Sequence, residues 1–281
     1  MLEQLYGFKR THAALGIDAE GNGKTDLGGA TMRMSALLVT LMLGLCPGIA
    51  EAGCKDQANS GVVWTGCTKK LLMLRSASLD GAKLDGSNLT STDLTGANLD
   101  GANLNEADLS YASLKSASLK GASLIKTAGN STSLVGADLS GANMQAMELF
   151  RADLTNALLT MADLSRSSLP RALFTGANLS GASLVKSDVI RSKFDNADLT
   201  GLNLTYAIVA RASFKNAKLA GSDWSKAYLY RTILVGADMS GVMGLTTAQV
   251  AMACGDSSTI LPAGVEAPTP WPCTNQDESA D

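Results

Sequence analysis

Histidine is almost missing from these 281 residues, and the one copy, His12, lies upstream of every pattern described below. A chain without His past that point lacks the commonest general base and metal ligand, so Ser-His-Asp and Cys-His arrangements are excluded. Aromatic residues are scarce at 5%, while Gly is plentiful at 28 copies, which suits a core of stacked similar layers better than jigsaw packing. No apolar run reaches the roughly 18 to 20 residues needed to span a bilayer. Charge is nearly balanced, at a formal −3, too little to make the whole chain a polyanion or a polycation.

What is present begins with an export pattern. Met32-Arg33-Met34 precedes an apolar run over 35–45, followed by Pro47, Gly48 and Ala50-Glu51-Ala52. A short basic start, an apolar stretch and small residues two apart mark a secretory signal peptide over 32–52, cleaved after Ala52, and hence a periplasmic or secreted protein. A lipid anchor at Cys54 fits less well, because Glu51 stands where a lipobox carries an aliphatic residue. Residues 1–31 show no sustained periodicity and read as a disordered extension or as sequence upstream of a true start at Met32 or Met34.

Cys46 leaves with the signal, so four cysteines remain: Cys54 and Cys67 ahead of the repeats described next, Cys254 and Cys273 behind them. An even number, paired at the two ends of an exported chain, reads as two disulfides. Neither pair has zinc-ligand spacing, and no metal or cofactor is expected. Each closed loop of roughly 12 to 18 residues stabilises by about 3 kcal/mol in the chain-entropy view.

From residue 72 to 241 the chain repeats every five residues without insertion or deletion. Counting by five from Leu74 to Met239 gives thirty-four positions, of which all but Gly129 are Leu, Met, Phe, Val or Trp. Two residues before each sits a small one, usually Ala as at Ala97 and Ala102, with Met147 and Leu202 as larger exceptions. Units such as Ala97-Asn98-Leu99-Asp100-Gly101 and Ala177-Asn178-Leu179-Ser180-Gly181 resemble those of the pentapeptide-repeat family over about 170 residues. The resemblance implies an all-β fold, a right-handed parallel quadrilateral β-helix. Four units make a coil, and the central residue and the preceding Ala point inward.

If four units make a coil, residues twenty apart must stack, and the substitutions cluster at that spacing. Phe174, Phe194 and Phe214 are the only Phe at central positions, and Val189 and Val209 also fall in adjacent coils. The 170 residues then form about 8.5 coils, roughly 40 Å long at about 4.8 Å per coil. Gly129 predicts a hole and therefore a local bulge or loop, with register restored at Leu134, because a missing Leu in a stacked core commonly costs about 2 to 5 kcal/mol.

Both ends of such a stack need covers. Residues 53–71 form an N-terminal cap whose segment 61–67 alternates like a leading strand. In 242–281, Thr246 to Ala253 reads as a short capping helix started by Thr246 or Thr247 and lying across the last coil near Leu245, Val250 and Trp224. Pro262, Pro268, Pro270 and Pro272 mark an extended tail that Cys273 ties back to Cys254. Family members often end in such a helix, which implies a homodimer through the C-terminal end as one option.

No catalytic constellation emerges, and the chain reads as non-enzymatic. Asp93, Asp108, Asp138 and Asp163 occupy the slot before the central Leu, where a solvated side chain bonding to nearby backbone is the plain reading. Gly81, Gly101 and Gly121 recur as a turn column with no strand-to-helix unit around them, so they are not phosphate loops.

One surface pattern stands out. Arg151, Arg171, Arg191, Arg211 and Arg231 are twenty apart, and the neighbouring column carries Arg166, Lys186, Tyr206 and Lys226. This basic, Tyr-bearing strip would hold an anionic polymer or the acidic face of a protein, unless its Arg stems merely shield the corners and pair with Asp153, Asp188 or Asp223. The expected role is that of an exported scaffold whose flat faces bind a protein or an anionic surface. The alternative that the family resemblance implies is a DNA-mimicking, topoisomerase-binding protein that protects against quinolones. Residues 72–241 hold 15 acidic and 16 basic side chains, whereas a mimic of DNA requires an acidic surface. No nucleic acid is expected as a partner.

Overall fold

The computed structural model describes residues 53–271. The expected signal peptide, the segment ahead of it and Cys273 lie outside the described residues.

Each pentapeptide folds into a short extended stretch and a tight turn. In the unit centred on Leu94, the carbonyl of Leu94 accepts from Ala97 N–H at 3.0 Å while Gly96 takes φ 68°, the type II pattern. The turn rotates the chain and returns the next small residue and the next centre to the interior. Leu79, Leu84, Leu89 and Leu94 are all fully buried, as are Ala82 and Ala97. Backbone groups that the turn leaves unpaired find partners in adjacent coils: Leu94 N–H donates to Ser113 O at 2.7 Å, and Ser113 N–H to Thr92 O at 3.0 Å. Burying so much backbone is tolerable only because this ladder satisfies it.

The bridges set the architecture. Val63 pairs in parallel with Lys83, Ser78 with Asn98, Asn98 with Ser118, and so on to Asp223 with Met243, always twenty residues apart. Four pentapeptides therefore complete one coil of a parallel β-helix. Phe174, Phe194 and Phe214 stack inside it with ring centroids 4.7 and 4.9 Å apart and nearly parallel planes. The edge of Trp224 meets the last ring at 5.1 Å.

The expected bulge at Gly129 does not occur. Ala128 bridges Asp108 on one side and Glu148 on the other, both in the twenty-residue register, and Gly129 N–H donates to Glu148 O at 2.7 Å. The interior volume is filled from the following coil. A Cβ placed on Gly129 would lie 2.7 Å from Leu149 Cδ2 and 3.3 Å from Met147 Cε. Leu149 comes nearest, and Met147, the oversized residue at a slot that usually holds Ala, adds its length beside it, so the two close the hole and the backbone has no reason to move.

Coiling also extends past both limits of the five-residue pattern. Ahead of it, Trp64 fills a central slot and Cys67 a small one, both buried, and Lys69 Nζ sits 3.9 Å over the Trp64 ring. The Cys54–Cys67 disulfide, with Cα atoms 5.5 Å apart, holds a single 3-10 turn at Gly53–Lys55 against this first coil. Trp64 Nε1 donates to Asp56 O at 3.2 Å across the same junction.

At the other end the helix α1 is shorter than expected, spanning Thr247–Val250. Thr246 and Gln249 form a reciprocal capping box, in which Gln249 Oε1 accepts from Thr246 N–H at 3.0 Å. Gln249 Nε2 donates to Trp224 O at 3.0 Å and to Ala227 O at 2.9 Å, standing in for a missing next coil. Past the helix the open edge of the last coil recaptures the chain. Ile233 bridges Cys254 and Asp238 bridges Ile260, with steps of 21 and 22 that absorb the inserted turn. Among the described residues no helix is long and apolar enough to cross a membrane.

Candidate interaction surface

The second turn residue of each unit forms a corner, and it adopts the left-handed conformation whatever its side chain. Arg151, Arg171, Arg191, Arg211 and Arg231 have φ between 56° and 60°. An L side chain is held there against a local preference for Gly of about 1 kcal/mol or more. The in-register bridges on either side of this corner place the five in one file over successive coils, as their spacing predicts. Arg151 is exposed, and the others are half-buried.

The next corner carries Arg166, Lys186, Tyr206 and Lys226, all exposed. Lys226 Nζ donates to Tyr206 Oη at 2.7 Å, and this hydrogen bond holds the phenol below its ordinary pKa. Lys186 lies 5.9 Å over the same ring from the other side.

Among the described residues, Arg151, Arg166, Arg171, Arg191, Arg211, Lys186 and Lys226 form no ion pair with Asp153, Asp188 or Asp223. Each of those carboxylates turns back to its own chain: Asp153 accepts from Thr155 N–H at 3.0 Å, Asp188 from Ile190 N–H at 2.9 Å and Asp223 from Ser225 N–H at 2.9 Å. Asp93, Asp108, Asp138 and Asp163 make the same two-residue turn, which accounts for an Asp or Asn in that slot. Ion pairs form elsewhere, as between Arg75 and Asp93 at 2.5 Å. Arg151, Arg166, Arg171, Arg191, Arg211, Lys186 and Lys226 make none among the described residues.

The two basic corners are consecutive, so they border a single face. Between Arg166 and Arg171 the chain passes through Ser167, inward and buried, Ser168, Leu169, inward, and Pro170. Reading this face across coils exposes a feature that the corner columns alone do not show. Each corner Arg follows an apolar residue, in Phe150-Arg151, Pro170-Arg171, Ile190-Arg191, Ala210-Arg211 and Tyr230-Arg231. In earlier coils the same slot holds Thr90, Ser110 and Asn130. Phe150, Ile208, Tyr228 and Tyr230 are each 40 to 47% exposed. The Tyr228 and Tyr230 rings run parallel, 6.3 Å apart, and Arg151 lies 5.2 Å from the Phe150 ring.

Charge follows the same division along the coil axis. Residues 72–150 hold 8 acidic and 5 basic side chains, and residues 151–241 hold 7 and 11. Among the described residues no group of three or more His, Cys, Asp and Glu is arranged to hold a metal. Cys254 is buried and disulfide-bonded, with a partner outside the described residues.

Three comparisons bear on this arrangement. A family model described as pentapeptide repeats matches in eight copies over residues 74–110, 107–145, 148–188, 172–209 and 210–242. No curated protein matches the chain. Among solved structures, HetL, a pentapeptide repeat protein involved in heterocyst differentiation regulation in the cyanobacterium Nostoc, is 33% identical. The alignment covers 62% of this chain and 84% of HetL, with a TM-score of 0.31. A trypsin-treated form of QnrB1, a plasmid-mediated fluoroquinolone resistance protein, is 16% identical over 68% of this chain and 92% of its own, with a TM-score of 0.46. A pentapeptide repeat protein of the Arabidopsis thaliana thylakoid lumen is 26% identical over 47% of this chain and 85% of its own, with a TM-score of 0.27. With its family model matched over more than half of its residues and a twenty-residue register running through them, the chain belongs to the pentapeptide-repeat family.

Proposed function

We propose that this protein is an exported, non-enzymatic scaffold, a right-handed four-sided β-helix that engages an anionic partner through the face bordered by its two basic corners. One observation carries the reading. Among the described residues, seven cations line the edges of one face with no ion pair to a carboxylate, although carboxylates are available on the same coils. Cations that a fold does not use internally remain available to an outside anion. The disulfide at the amino end and the signal-like segment at 32–52 support an oxidising compartment. Nothing in the charge pattern favours DNA mimicry, since the carboxyl-terminal half is net basic.

A photo-crosslinking residue placed at Ile190 tests the proposal in cells against the same residue at Asn178, on another face. Adducts from Ile190 alone support it. Adducts of equal yield from both positions, or from Asn178 alone, contradict it.

A further inference from the structure

The face between the basic corners carries more than charge. Its exposed apolar side chains are not a remnant of the core, because the inward slots behind them are already filled by Leu149, Leu169, Val189, Val209 and Leu229, all fully buried. They also begin abruptly. The column that holds Thr90, Ser110 and Asn130 in early coils switches to Phe150 and then stays apolar to Tyr230. Outward-facing Ile208 and Tyr228 join it from the adjoining column where earlier coils carry Asn88 and Asp108. An apolar strip that starts where the cations start is one surface with two components.

Resting on the reading that this face meets an anion, we propose that its partner is an anionic lipid bilayer, on which the β-helix lies with its axis parallel to the membrane plane. The chemistry matches on three counts. Apolar side chains rimmed on both edges by same-sign cations supply the two signals that reversible membrane attachment requires, shallow insertion and attraction to acidic headgroups. Tyr206, Tyr228 and Tyr230 place rings with a polar tip at the depth where tyrosine is enriched in membrane proteins. The constant twenty-residue step stacks the apolar and basic columns in register over successive coils, so that they can meet one extended surface together.

A specific protein partner fits the same face less well. Directional recognition uses donors and acceptors interspersed with apolar anchors. Between these rims they are confined to Glu148 in the first coil, Ser168, the Asp188 carboxylate, one oxygen of which is already bonded to Ile190 N–H, and the hydroxyl tips of Tyr228 and Tyr230. The basic rims are uniform in sign, as a surface of diffuse negative charge requires.

The test is co-sedimentation of the full, oxidised chain with vesicles of phosphatidylcholine alone and of phosphatidylcholine mixed with phosphatidylglycerol. The combined variant Arg171→Gly, Arg191→Gly, Arg211→Gly removes three cations at positions where Gly adopts the native φ without strain, so it keeps the fold. A second variant, Ile208→Ser with Tyr230→Ser, removes apolar side chains and leaves the charge unchanged. The wild type is expected to bind only the anionic vesicles and to be released by salt. The Gly variant is expected to partition roughly a hundredfold more weakly, at about a fivefold loss per juxtamembrane cation, and the Ser variant at least several-fold more weakly. Lys218→Gln, on another face, is expected to bind like the wild type.

Absence of binding to anionic vesicles, or binding that the Ser variant leaves unchanged, overturns the proposal. If the wild type is then still retained on a soluble-phase anionic matrix, or captures an acidic protein through this face, the bilayer is the wrong partner and the anion-binding reading stands. If retention is absent too, both fall.

Discussion

Met147 shares with Leu149 the interior volume that Gly129 vacates one coil earlier, with Met147 Cε 3.3 Å from the place where a Gly129 Cβ would stand. The pair exchanges the usual sizes of two inward slots. Restoring Leu at position 129 alone overfills the core and is expected to cost about 1 to 3 kcal/mol, whereas Met147→Ala alone opens a cavity worth about 2 to 5 kcal/mol. The double variant Gly129→Leu, Met147→Ala returns both slots to the repeat pattern, so its cost should fall well below the sum. Denaturant midpoints for the four proteins measure this. Strict additivity would show that the two side chains do not share a volume.

Gln249 closes the carboxyl end by giving both amide hydrogens to coil carbonyls and its oxygen to Thr246. Gln249→Ala leaves Trp224 O and Ala227 O without these donors and removes half of the capping box. A loss of about 1 to 3 kcal/mol is expected, with faster proteolysis confined to the segment after Gly244. Gln249→Glu is expected to be nearly as damaging, since it retains the acceptor and loses the donors. Full stability of the Glu variant in denaturant would contradict this account of the cap.

Acid sensitivity follows from the Asp slot. Hydrogen bonds from the Thr95 side chain and backbone, aided by Arg75, bring the Asp93 carboxyl down to about 2. Asp223 is lowered by the Ser225 hydroxyl and backbone N–H, and Asp238 by the backbone N–H and hydroxyl of Ser240. A carboxylate with a depressed folded-state pKa contributes stability that is fully present above its unfolded value near 4 and is lost as pH falls through the folded one. Stability should therefore be flat at neutral pH and fall from about pH 4 toward 2. Asp93→Asn, Asp223→Asn and Asp238→Asn keep the turn acceptor, as Asn98 and Asn178 do in the native chain, and should flatten that fall. Urea midpoints across the range check it, and an unchanged acid limb in the triple variant would contradict it.

The interior was legible in the sequence because a five-residue period leaves one solution for which side chains face inward. Columns are legible at twenty residues, a spacing that brings out the Phe174, Phe194, Phe214 stack and the Arg file. The bulge that Gly129 predicts does not form because part of its compensation sits at Met147, eighteen residues away and noticeable only as an oversized residue in a small slot. The ends were underestimated because Trp64, Cys67 and Cys254 fill coil slots with residues outside the repeat vocabulary, and because α1 shifts the step to 21 and 22. The apolar strip escaped a reading of corner residues alone. Phe150, Ile190 and Tyr230 stand one position before the arginines, and each becomes informative only when its whole column is compared with Thr90 and Asn130.

The location of the anion-binding face is tested most directly by salt elution of the oxidised chain from an anionic matrix. Two charge reversals of equal size are compared: Arg171→Glu, Arg191→Glu, Arg211→Glu on the corner, and Lys83→Glu, Lys115→Glu, Lys218→Glu on other faces. The account predicts that the corner variant elutes at far lower salt while the control stays close to the wild type. Equal shifts in the two variants would show that net charge alone governs binding, and would contradict it.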